Sequence, residues 1–380
     1  MTDRPMPEAF RHALPAMLAD LERLVCRESP SADLGAVAHS AELVAELGDR
    51  LLGVPAERIV LEGRTHLRWR LGDGPSRVLV LGHHDTVWPL GSLRTHPFGV
   101  EDGILRGPGC FDMKAGVVMG FHAVAALPDP SGVTVLVTGD EELGSPSSEK
   151  LIRDEAAGCD AALVLEAAAD GGALKTARKG VSQYEIRVRG RAAHAGLEPE
   201  RGINATVELA HQILAVAALA DPGAGTTVTP TVLGAGTTGN TVPAEGSCMV
   251  DVRVREPAEQ SRVDTAIRAL RPVLAGAEVE VVPGPRRPPL PLSASEELFA
   301  RAVRLAGELG IGPITGVAVG GGSDGNLTAG AGTPTLDGLG AVGGGAHADD
   351  EHVVVSALPG RTALVAALIA EVLETQKEAS

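Results

Sequence analysis

Several short apolar runs in this sequence end in histidine or acidic residues. The run VLVLGHHDTV places His83, His84 and Asp85 where a predicted buried strand leaves its sheet. Because side chains alternate along a strand, His83 and Asp85 share one face and His84 points to the other. His83 can therefore bind a metal ion as a neutral imidazole, while Asp85 accepts a hydrogen bond from its second ring nitrogen. Taken alone, the tripeptide could equally cap the following turn.

Four further segments carry residues of the same kind. Asp112 follows the Gly-Pro-Gly turn of RGPGCFDMKAG and precedes a predicted helix, where helix capping is the simpler interpretation. The run VLVTGDEELGS has three consecutive acids at 140–142, which repel one another unless a cation or a raised pKa relieves them. The remaining positions are Glu166, in AALVLEAAAD, and His347, in the glycine-rich GGGAHADDEH.

These five segments together predict one site. Parallel strands of one sheet bring their carboxyl ends to the same edge, so residues that follow different strands can meet there. A set of two histidines and several carboxylates, without cysteine, suits divalent ions such as zinc, manganese or cobalt. A carboxylate that bridges two ions, with two more ligands for each ion, makes a site in which water becomes a strong nucleophile.

The elements that must position these residues follow from the periodicity of the chain. Up to about residue 180, helical patterns alternate with short apolar strands, which indicates an α/β fold with a mixed, mostly parallel sheet flanked by helices. Alternating runs such as SQYEIRVR then predict antiparallel strands. We expect a discontinuous catalytic domain, residues 1–179 and 290–380, with an inserted α+β lid, 180–289. The five-proline run Val282–Leu292 is predicted to be the hinge between them.

Composition excludes several classes of protein. A chain of 380 residues with 44% hydrophobic and 22% charged residues supports packed domains and excludes disorder, coiled coil and collagen. The net charge of −16 argues against nucleic acid and anionic membranes as partners. The sequence has no run of 18 apolar residues and no signal-peptide pattern at its N-terminus, so we expect a cytoplasmic protein with no membrane segment.

Taken together, the motifs resemble the dinuclear zinc aminopeptidase/carboxypeptidase superfamily. The branch that the chain most resembles contains carboxypeptidase G, aminoacylase and succinyl-diaminopimelate desuccinylase. The ordered set of motifs is far more specific than any one of them, and the resemblance covers nearly the whole chain. The motifs are HHDTV at 83–87, GPGCFDMKAG at 107–116, DEELGS at 140–145, LEAA at 165–168 and GGAHADDEHV at 344–353.

The resemblance implies a ligand set for two divalent ions per chain. Asp112 would bridge both ions. His83 and Glu166 would complete the ligand set of one ion, and Glu142 with His347 would complete that of the other. Zinc is the expected metal, with cobalt and manganese as alternatives.

The resemblance also implies roles beside the metal ions. Glu141 would be the general base that takes a proton from the bridging water, and Asp85 would orient His83. A cis peptide bond is implied next to Asp112, between Asp112 and Met113.

The predicted lid carries further candidates. His194, in RGRAAHAGLEPERGINA, could be an ordinary surface residue, but in the family the equivalent histidine stabilises the oxyanion in the partner's active site. The resemblance thus implies a homodimer formed through the lid. It also points to Asn240 and Arg253 as groups that hold the substrate, although Arg253 could instead be a solvent-facing charge. Arg287 is a candidate for a second carboxylate contact.

The expected function is metal-dependent hydrolysis of an amide bond next to a free carboxylate. The small-molecule substrate would be an N-acyl amino acid, a small peptide or a glutamate conjugate. The alternative enzyme activity on the same scaffold is that of a desuccinylase, a deacetylase or a carbamoyl-amino-acid hydrolase. Outside that class, a metal-binding pseudoenzyme is less favoured, because every expected ligand and the base are present, and a purely structural acidic protein predicts no bound metal.

Overall fold

The structure is a computed structural model, and it describes residues 6–375. The α-helices within this range are α1 (Pro7–Val25), α2 (Leu34–Leu52), α3 (Ala115–Ala125), α4 (Glu149–Ala156), α5 (Ala205–Ala217), α6 (Pro257–Arg268), α7 (Leu292–Glu308), α8 (Gly325–Gly330) and α9 (Leu358–Glu374). The strands are β1 (Glu57–Leu61), β2 (Arg64–Arg70), β3 (Val78–His83), β4 (Gly99–Glu101), β5 (Ile104–Arg106), β6 (Val133–Thr138), β7 (Ala161–Val164), β8 (Leu174–Arg178), β9 (Gly180–Arg189), β10 (Ala193–His194), β11 (Thr227–Ala235), β12 (Thr241–Val242), β13 (Glu245–Val254), β14 (Glu278–Arg287), β15 (Gly316–Val319), β16 (Thr335–Leu336), β17 (Gly343–Gly344) and β18 (His352–Val354).

The first of two compact units is built on a six-stranded sheet. Within the described chain this unit comprises residues 6–177, 291–319 and 323–375. The strand order is β1-β2-β6-β3-β7-β16. Strand β3 is parallel to β6 and β7, and β16 is parallel to β7, whereas β1 and β2 are antiparallel additions. This topology confirms the predicted α/β fold with a mixed, mostly parallel sheet.

Helices cover both faces of this sheet. Every residue of β3 and β6 is buried, as expected for apolar strands covered on both sides. Val80 of β3 belongs to a core that includes residues of α1, α2, α3, α7 and α9. Leu79 and Leu81 belong to a second core, which includes residues of α4 and α8. The carboxyl ends of the central strands therefore emerge between two helical layers.

The C-terminal helix is the most apolar long helix of the first unit. Val355–Glu374 is the one helical stretch, among residues 6–375, that is long and apolar enough to cross a bilayer, and 72% of its apolar window is buried inside the protein. Helix α9 packs against α1, α3 and α7. Its composition is therefore that of a core helix.

The second unit, residues 178–290 together with 320–322, contains an antiparallel sheet. Its strand order is β11-β13-β9-β14. Burial alternates along β9, where Tyr184, Ile186 and Val188 are buried and their neighbours are less so. These residues share a core with Leu209 of α5 and Ile267 of α6. Two helices therefore cover one face of the sheet.

The five-proline run is a strand in its first half, and its second half crosses the boundary between the two units, between residues 290 and 291. Residues 278–287 form β14, which pairs with β9 from Glu278 to Arg287 with an irregularity after Pro283. Proline cannot donate a backbone hydrogen bond, but an edge strand needs donors on one side only. Because β14 is such an edge, pairing continues through a segment that the sequence presents as a linker.

Candidate metal centre

Three of the predicted ligand segments leave neighbouring strands of the six-stranded sheet. His83 is the last residue of β3, Glu142 lies four residues after β6, and Glu166 lies two residues after β7. Strand β3 lies between β6 and β7 and is parallel to both. The three strand ends therefore share one edge, and the topology brings the three side chains together.

Asp112 reaches this edge from a loop. The loop contains Gly109, whose φ of 68° is readily adopted by glycine. A Cβ atom on Gly109 would lie 2.3 Å from Cγ2 of Thr86, so the loop packs directly against the chain that follows β3. The peptide bond between Asp112 and Met113 is cis, as the resemblance implies.

His347 lies in the loop between β17 and β18. Its φ of 61° is in the left-handed region, and its side chain is about half exposed. The Nε2 atom lies 3.3 Å from Oδ2 of Asp112 and 3.1 Å from Oε2 of Glu142. We call these three residues the His347 triad.

A second group forms around the other oxygen of Asp112. Nε2 of the buried His83 lies 3.4 Å from Oδ1 of Asp112 and 3.6 Å from Oε1 of Glu166. We call these residues the His83 triad. Asp112 therefore belongs to both triads and directs one carboxylate oxygen toward each histidine.

Both triads fit a divalent ion. Nε2 of His83 and Oε1 of Glu142 are buried and have no hydrogen-bond partner among residues 6–375, an arrangement that is costly unless a cation satisfies these atoms. Zinc binds nitrogen and oxygen at about 2.0–2.1 Å, so the ligand atoms of a tetrahedral ion lie about 3.3 Å apart. The four separations in the triads, between 3.1 and 3.6 Å, agree with that spacing.

The charged groups of the triads shift one another's pKa values. Asp112 and Glu142 raise the pKa of His347 to about 10. Burial lowers the pKa of His83, but the Asp112 and Asp85 carboxylates outweigh burial, and the net shift is well upward. Burial would raise the pKa of Asp112, yet His347 and His83 bring it below its usual range. Protons on the histidines thus balance the carboxylates, a task that a bound divalent ion would take over.

Glu141 lies beside the triads in a short 3-10 turn. The backbone N–H groups of Glu141 and Glu142 donate to the two carboxylate oxygens of Asp85, at 3.2 and 3.3 Å. A carboxylate oxygen of Glu141 lies within 4.8 Å of the ligand atoms of His83 and Glu166. Asp85 therefore holds the turn that places the Glu141 carboxylate next to the site.

The His83 ring is oriented by the backbone of Asp85. Nδ1 of His83 donates to the Asp85 carbonyl oxygen at 2.9 Å, and the nearer oxygen of the Asp85 carboxylate is at 3.5 Å. Because Nδ1 keeps its proton, Nε2 is the nitrogen that faces Asp112 and Glu166, and it would offer its lone pair to a metal ion that displaces the Nε2 proton. Alternation along the strand predicts the nearness of Asp85 but not this backbone contact, because the chain turns directly after β3.

His84 points away from the triads, as the alternation predicts. It is buried, its Nε2 donates to the carbonyl oxygen of Thr65, and its Nδ1 accepts from the hydroxyl of Ser40, both at 3.1 Å. Burial lowers the pKa of His84 to about 4. Both ring nitrogens are therefore used, and His84 is a neutral core residue.

Two buried aspartates that the sequence analysis leaves without a role hold the turn after β6. Asp140 accepts hydrogen bonds from the backbone and hydroxyl groups of Ser147 and Ser148. Asp324 accepts from the hydroxyl of Ser145. The serines that follow DEELG could have indicated the contacts of Asp140 from the sequence. Asp324 lies far along the chain in a glycine run, and nothing local reveals its contact.

The second unit contains the other predicted residues. His194 is exposed in β10, which pairs with β12. The backbone carbonyl of Asn240 accepts from the N–H of Ala195 at 2.9 Å, so the segments of His194 and Asn240 are adjacent.

Two predicted arginines flank β9 near its N-terminal end, in the sheet of the second unit. Arg253 of β13 and Arg287 of β14 both lie opposite Val181 of β9. Directly paired residues point to the same face of a sheet, so the two arginines share a face. Arg253 already donates to both carboxylate oxygens of Asp251, at 2.8 and 3.1 Å.

Comparison with known proteins identifies the family of the chain. The model of peptidase family M20/M25/M40 matches residues 79–371. The chain is 32% identical to carboxypeptidase G2 from Pseudomonas sp. (strain RS-16), over 97% of this chain and 92% of that protein. It is 29% identical to succinyl-diaminopimelate desuccinylase from Rhodospirillum centenum, over 69% of this chain and 73% of that protein.

Solved structures show the same fold. Aminopeptidase PepT from Bacillus cereus superposes with a TM-score of 0.75 at 22% identity, covering 95% of this chain and 99% of that one. A metallo-carboxypeptidase of the M20 family from Sulfolobus solfataricus gives a TM-score of 0.72 at 17% identity, covering 93% and 98%. The chain therefore belongs to peptidase family M20/M25/M40 and is a metal-dependent hydrolase that acts on amide bonds.

Proposed function

We propose that this chain is a two-metal hydrolase that cleaves an amide bond next to a free carboxylate. Its substrate would be an N-acyl amino acid, a small peptide or a glutamate conjugate. The observation that carries the proposal is the position of Asp112, whose two oxygens lie 3.4 Å from Nε2 of His83 and 3.3 Å from Nε2 of His347. Such a shared carboxylate would be suited to bind both ions of a two-metal site. The histidine and carboxylate ligands favour zinc, with cobalt or manganese as alternatives.

Side chains of the protein would hold the metal ions, transfer the proton and position the catalytic groups. The two triads would hold divalent ions, which would supply Lewis-acid chemistry for a substrate carbonyl and for the attacking water. Glu141 would take the proton of that water and deliver it to the leaving nitrogen. The hydrogen bonds from the turn backbone to Asp85 keep the Glu141 carboxylate beside the reacting atoms.

His194 is suited to stabilise the oxyanion. Its Nδ1 accepts from the backbone N–H groups of Gly196 and Leu197, at 3.1 and 3.2 Å. The proton therefore sits on Nε2, and the exposed ring can donate it in a hydrogen bond. We assign this donor to the active site of the partner subunit in a homodimer.

The lid arginines support recognition of a carboxylate. Arg253 and Arg287 share a sheet face, and Asp251 fixes the orientation of the Arg253 guanidinium. A guanidinium has five donors in a planar fork, so the bonds to Asp251 leave capacity for a substrate carboxylate. Asn240, beside the His194 segment, would add an amide contact.

The proposed homodimer would form through the edge of the lid sheet. Strand β11 lies at that edge, where Val232 and Leu233 are 69% and 60% exposed. On the neighbouring helix α5, Leu214 is 71% exposed. An exposed edge strand with apolar side chains readily pairs with a second copy of itself around a two-fold axis.

The four cysteines are free, which is the usual state in a reducing compartment. This supports a cytoplasmic location.

A desuccinylase is the second candidate, because the chain is 29% identical to succinyl-diaminopimelate desuccinylase over 69% of its length. A panel of N-acyl amino acids, short peptides, glutamate conjugates and succinylated amines separates the two. We expect turnover of a glutamate conjugate or N-acyl amino acid that a chelator abolishes and zinc, cobalt or manganese restores. Amidation of the substrate's α-carboxylate should slow turnover by about 10²-fold, because one bidentate arginine contact is lost. A metal-loaded protein that turns over none of these substrates would contradict the proposal.

A further inference from the structure

Glu351, which the sequence analysis leaves without a role, is buried against the loop that carries Asp112. Glu351 is 3% exposed and lies directly before β18. Its Oε1 atom accepts hydrogen bonds from the backbone N–H groups of Phe111 and Asp112, at 2.8 and 3.0 Å. Its Oε2 atom accepts from the N–H of Gly109 at 2.9 Å. The indole N–H of Trp88 also donates to Oε2.

One carboxylate thus holds the backbone of a metal-binding loop. The backbone N–H groups of residues 109, 111 and 112 all donate hydrogen bonds to the Glu351 carboxylate. The backbone of Asp112 itself is therefore fixed by this side chain. A buried carboxylate is tolerated only when donors surround it, and four N–H groups do so here. An apolar residue in this place would leave three backbone donors buried without an acceptor.

The same carboxylate links three segments of the proposed site. Glu351 lies four residues after His347 on one chain segment, and Trp88 lies three residues after Asp85 on another. The third segment is the loop of Asp112. Displacement of the Glu351 carboxylate would therefore shift the one residue that the two triads share.

We propose that Glu351 is a positioning residue that holds Asp112 in the geometry needed to bind metal in both triads. The inference rests on the proposed function, because it assigns Asp112 to the metal site. Glu351 does not belong to either triad and acts through the backbone of the loop. Hydrogen-bond partners behind a metal ligand typically change metal affinity by 10–100-fold when they are lost.

Glu351→Gln is the informative variant, because glutamine has the same size and shape. The substitution keeps one acceptor oxygen and places an amide NH₂ against backbone donors, so two or more of the hydrogen bonds are lost. If Glu351 only filled space in the core, this substitution would change neither the hydrogen exchange of the Asp112 loop nor the zinc affinity. The matched control is Asp349→Asn, which removes the same charge from the same loop at a side chain that is 93% exposed.

Two measurements on purified full-length protein test the inference. In metal-free protein, hydrogen exchange followed by mass spectrometry should show faster exchange in a peptide covering 107–114 for Glu351→Gln, by about tenfold or more, and no change for Asp349→Asn. In titrations against a chromophoric chelator, zinc affinity should fall by about 10–100-fold for Glu351→Gln and by less than threefold for Asp349→Asn.

Trp88→Phe provides a milder variant, should Glu351→Gln fail to fold. It removes one donor to Oε2 and leaves the three backbone bonds intact, so zinc affinity should fall by about 2–10-fold, less than for Glu351→Gln. Unchanged zinc affinity and unchanged exchange at 107–114 in the folded variants would overturn the inference. An equal loss in Asp349→Asn would overturn it as well, because a general charge effect would then suffice.

The outcome is separable from that of the proposed function. Faster exchange and weaker zinc binding in Glu351→Gln, in a protein that hydrolyses no substrate of the panel, would leave the inference standing and refute the proposed substrate. Hydrolysis of the panel substrates with unaltered zinc binding in Glu351→Gln would refute the inference alone.

Discussion

At the scale of single residues, the shared carboxylate of Asp112 sets the electrostatics of the candidate site. Two histidines approach its two oxygens and lower its pKa below the usual range. Around this centre the structure separates carboxylates that face the triads from carboxylates that hold the backbone. Glu141 and Glu142 are adjacent in sequence; Glu142 lies 3.1 Å from Nε2 of His347 in the His347 triad, and Glu141 lies beside His83 and Glu166.

The different positions of Glu141 and Glu142 predict different effects for two isosteric substitutions. Glu141→Gln should keep bound metal and substrate affinity and reduce turnover by about 10²-fold or more, because proton transfer is lost. Glu142→Gln should instead lose metal. Metal content by elemental analysis and turnover of one panel substrate check both variants. Near-normal turnover in Glu141→Gln would show that another group is the base.

The pKa of His347 predicts how metal binding depends on pH. Asp112 and Glu142 raise this pKa to about 10, so at pH 7 the metal-free protein holds a proton on His347 that the metal must displace. Zinc affinity should therefore rise with pH, by about tenfold per unit between pH 6 and 8 for each proton displaced. Zinc titrations at several pH values measure the slope, and His347→Ala should make it shallower. A flat profile in the unmodified protein would contradict the assignment.

Residue types and strand alternation predict much of this site. The choice of His83 over His84 follows from the period of a strand and agrees with the contacts of both rings. The contacts that sequence reasoning misses are those to the backbone. Asp85 holds two N–H groups of a distant turn, and Glu351 resembles a solvated acid within the run ADDEH. Every residue except proline has a backbone N–H group, so the sequence contains no distinctive partner residue that would indicate such a contact.

At the scale of elements, the close approach of α3 to the end of β7 helps to place Glu166. A Cβ atom on Gly116 would lie 2.1 Å from the carbonyl oxygen of Leu165, the residue before Glu166. One turn later, a Cβ atom on Gly120 would lie 2.4 Å from Cδ1 of Leu165. The helix therefore packs with its backbone against the chain that delivers a predicted ligand.

This contact predicts a loss of stability for Gly116→Ala. Alanine favours the helix over glycine by about 1 kcal/mol, but a carbonyl oxygen at 2.1 Å cannot yield as a flexible side chain would. We expect the free energy of unfolding to fall by about 1–3 kcal/mol, the usual effect of overpacking, in urea denaturation. Gly74→Ala is the control, since a Cβ atom there meets nothing within 4 Å. Equal stability of the two variants would contradict this account.

The sequence predicts the central elements better than the edges. Continuous apolar runs such as β3 and β6 are unambiguous because both of their faces are buried. Strand β14 escapes prediction because its prolines suggest a linker, and only its place at the edge of a sheet makes them acceptable. Tertiary position, which local composition does not contain, decides that element.

At the scale of the whole molecule, the proposed dimer leads to a test that requires two chains. If His194 serves the partner's site, a mixed dimer of Glu141→Gln and His194→Ala has one site with both groups intact. Each variant alone should be inactive, and their mixture should recover at most about half of the activity of the unmodified dimer. Turnover after subunit exchange measures this recovery.

The control for this experiment is a mixture of Glu141→Gln with Glu142→Gln. Both substitutions lie in the first unit, so every site in that mixed dimer carries one defect and no activity should return. If the mixture with His194→Ala also remains inactive despite demonstrated exchange, His194 acts within its own chain or has no part in the reaction.

The division of the chain into units has a consequence for synthesis on the ribosome. Residues 178–290 are nearly the whole of the second unit and are continuous, so this unit can fold as soon as it has emerged. The first unit starts earlier but needs β16 at its sheet edge and α9 in its core, both made after the second unit. The N-terminal half of the first unit is therefore made before the elements that complete its sheet and core, and a chain truncated before His347 should bind no metal in the His347 triad.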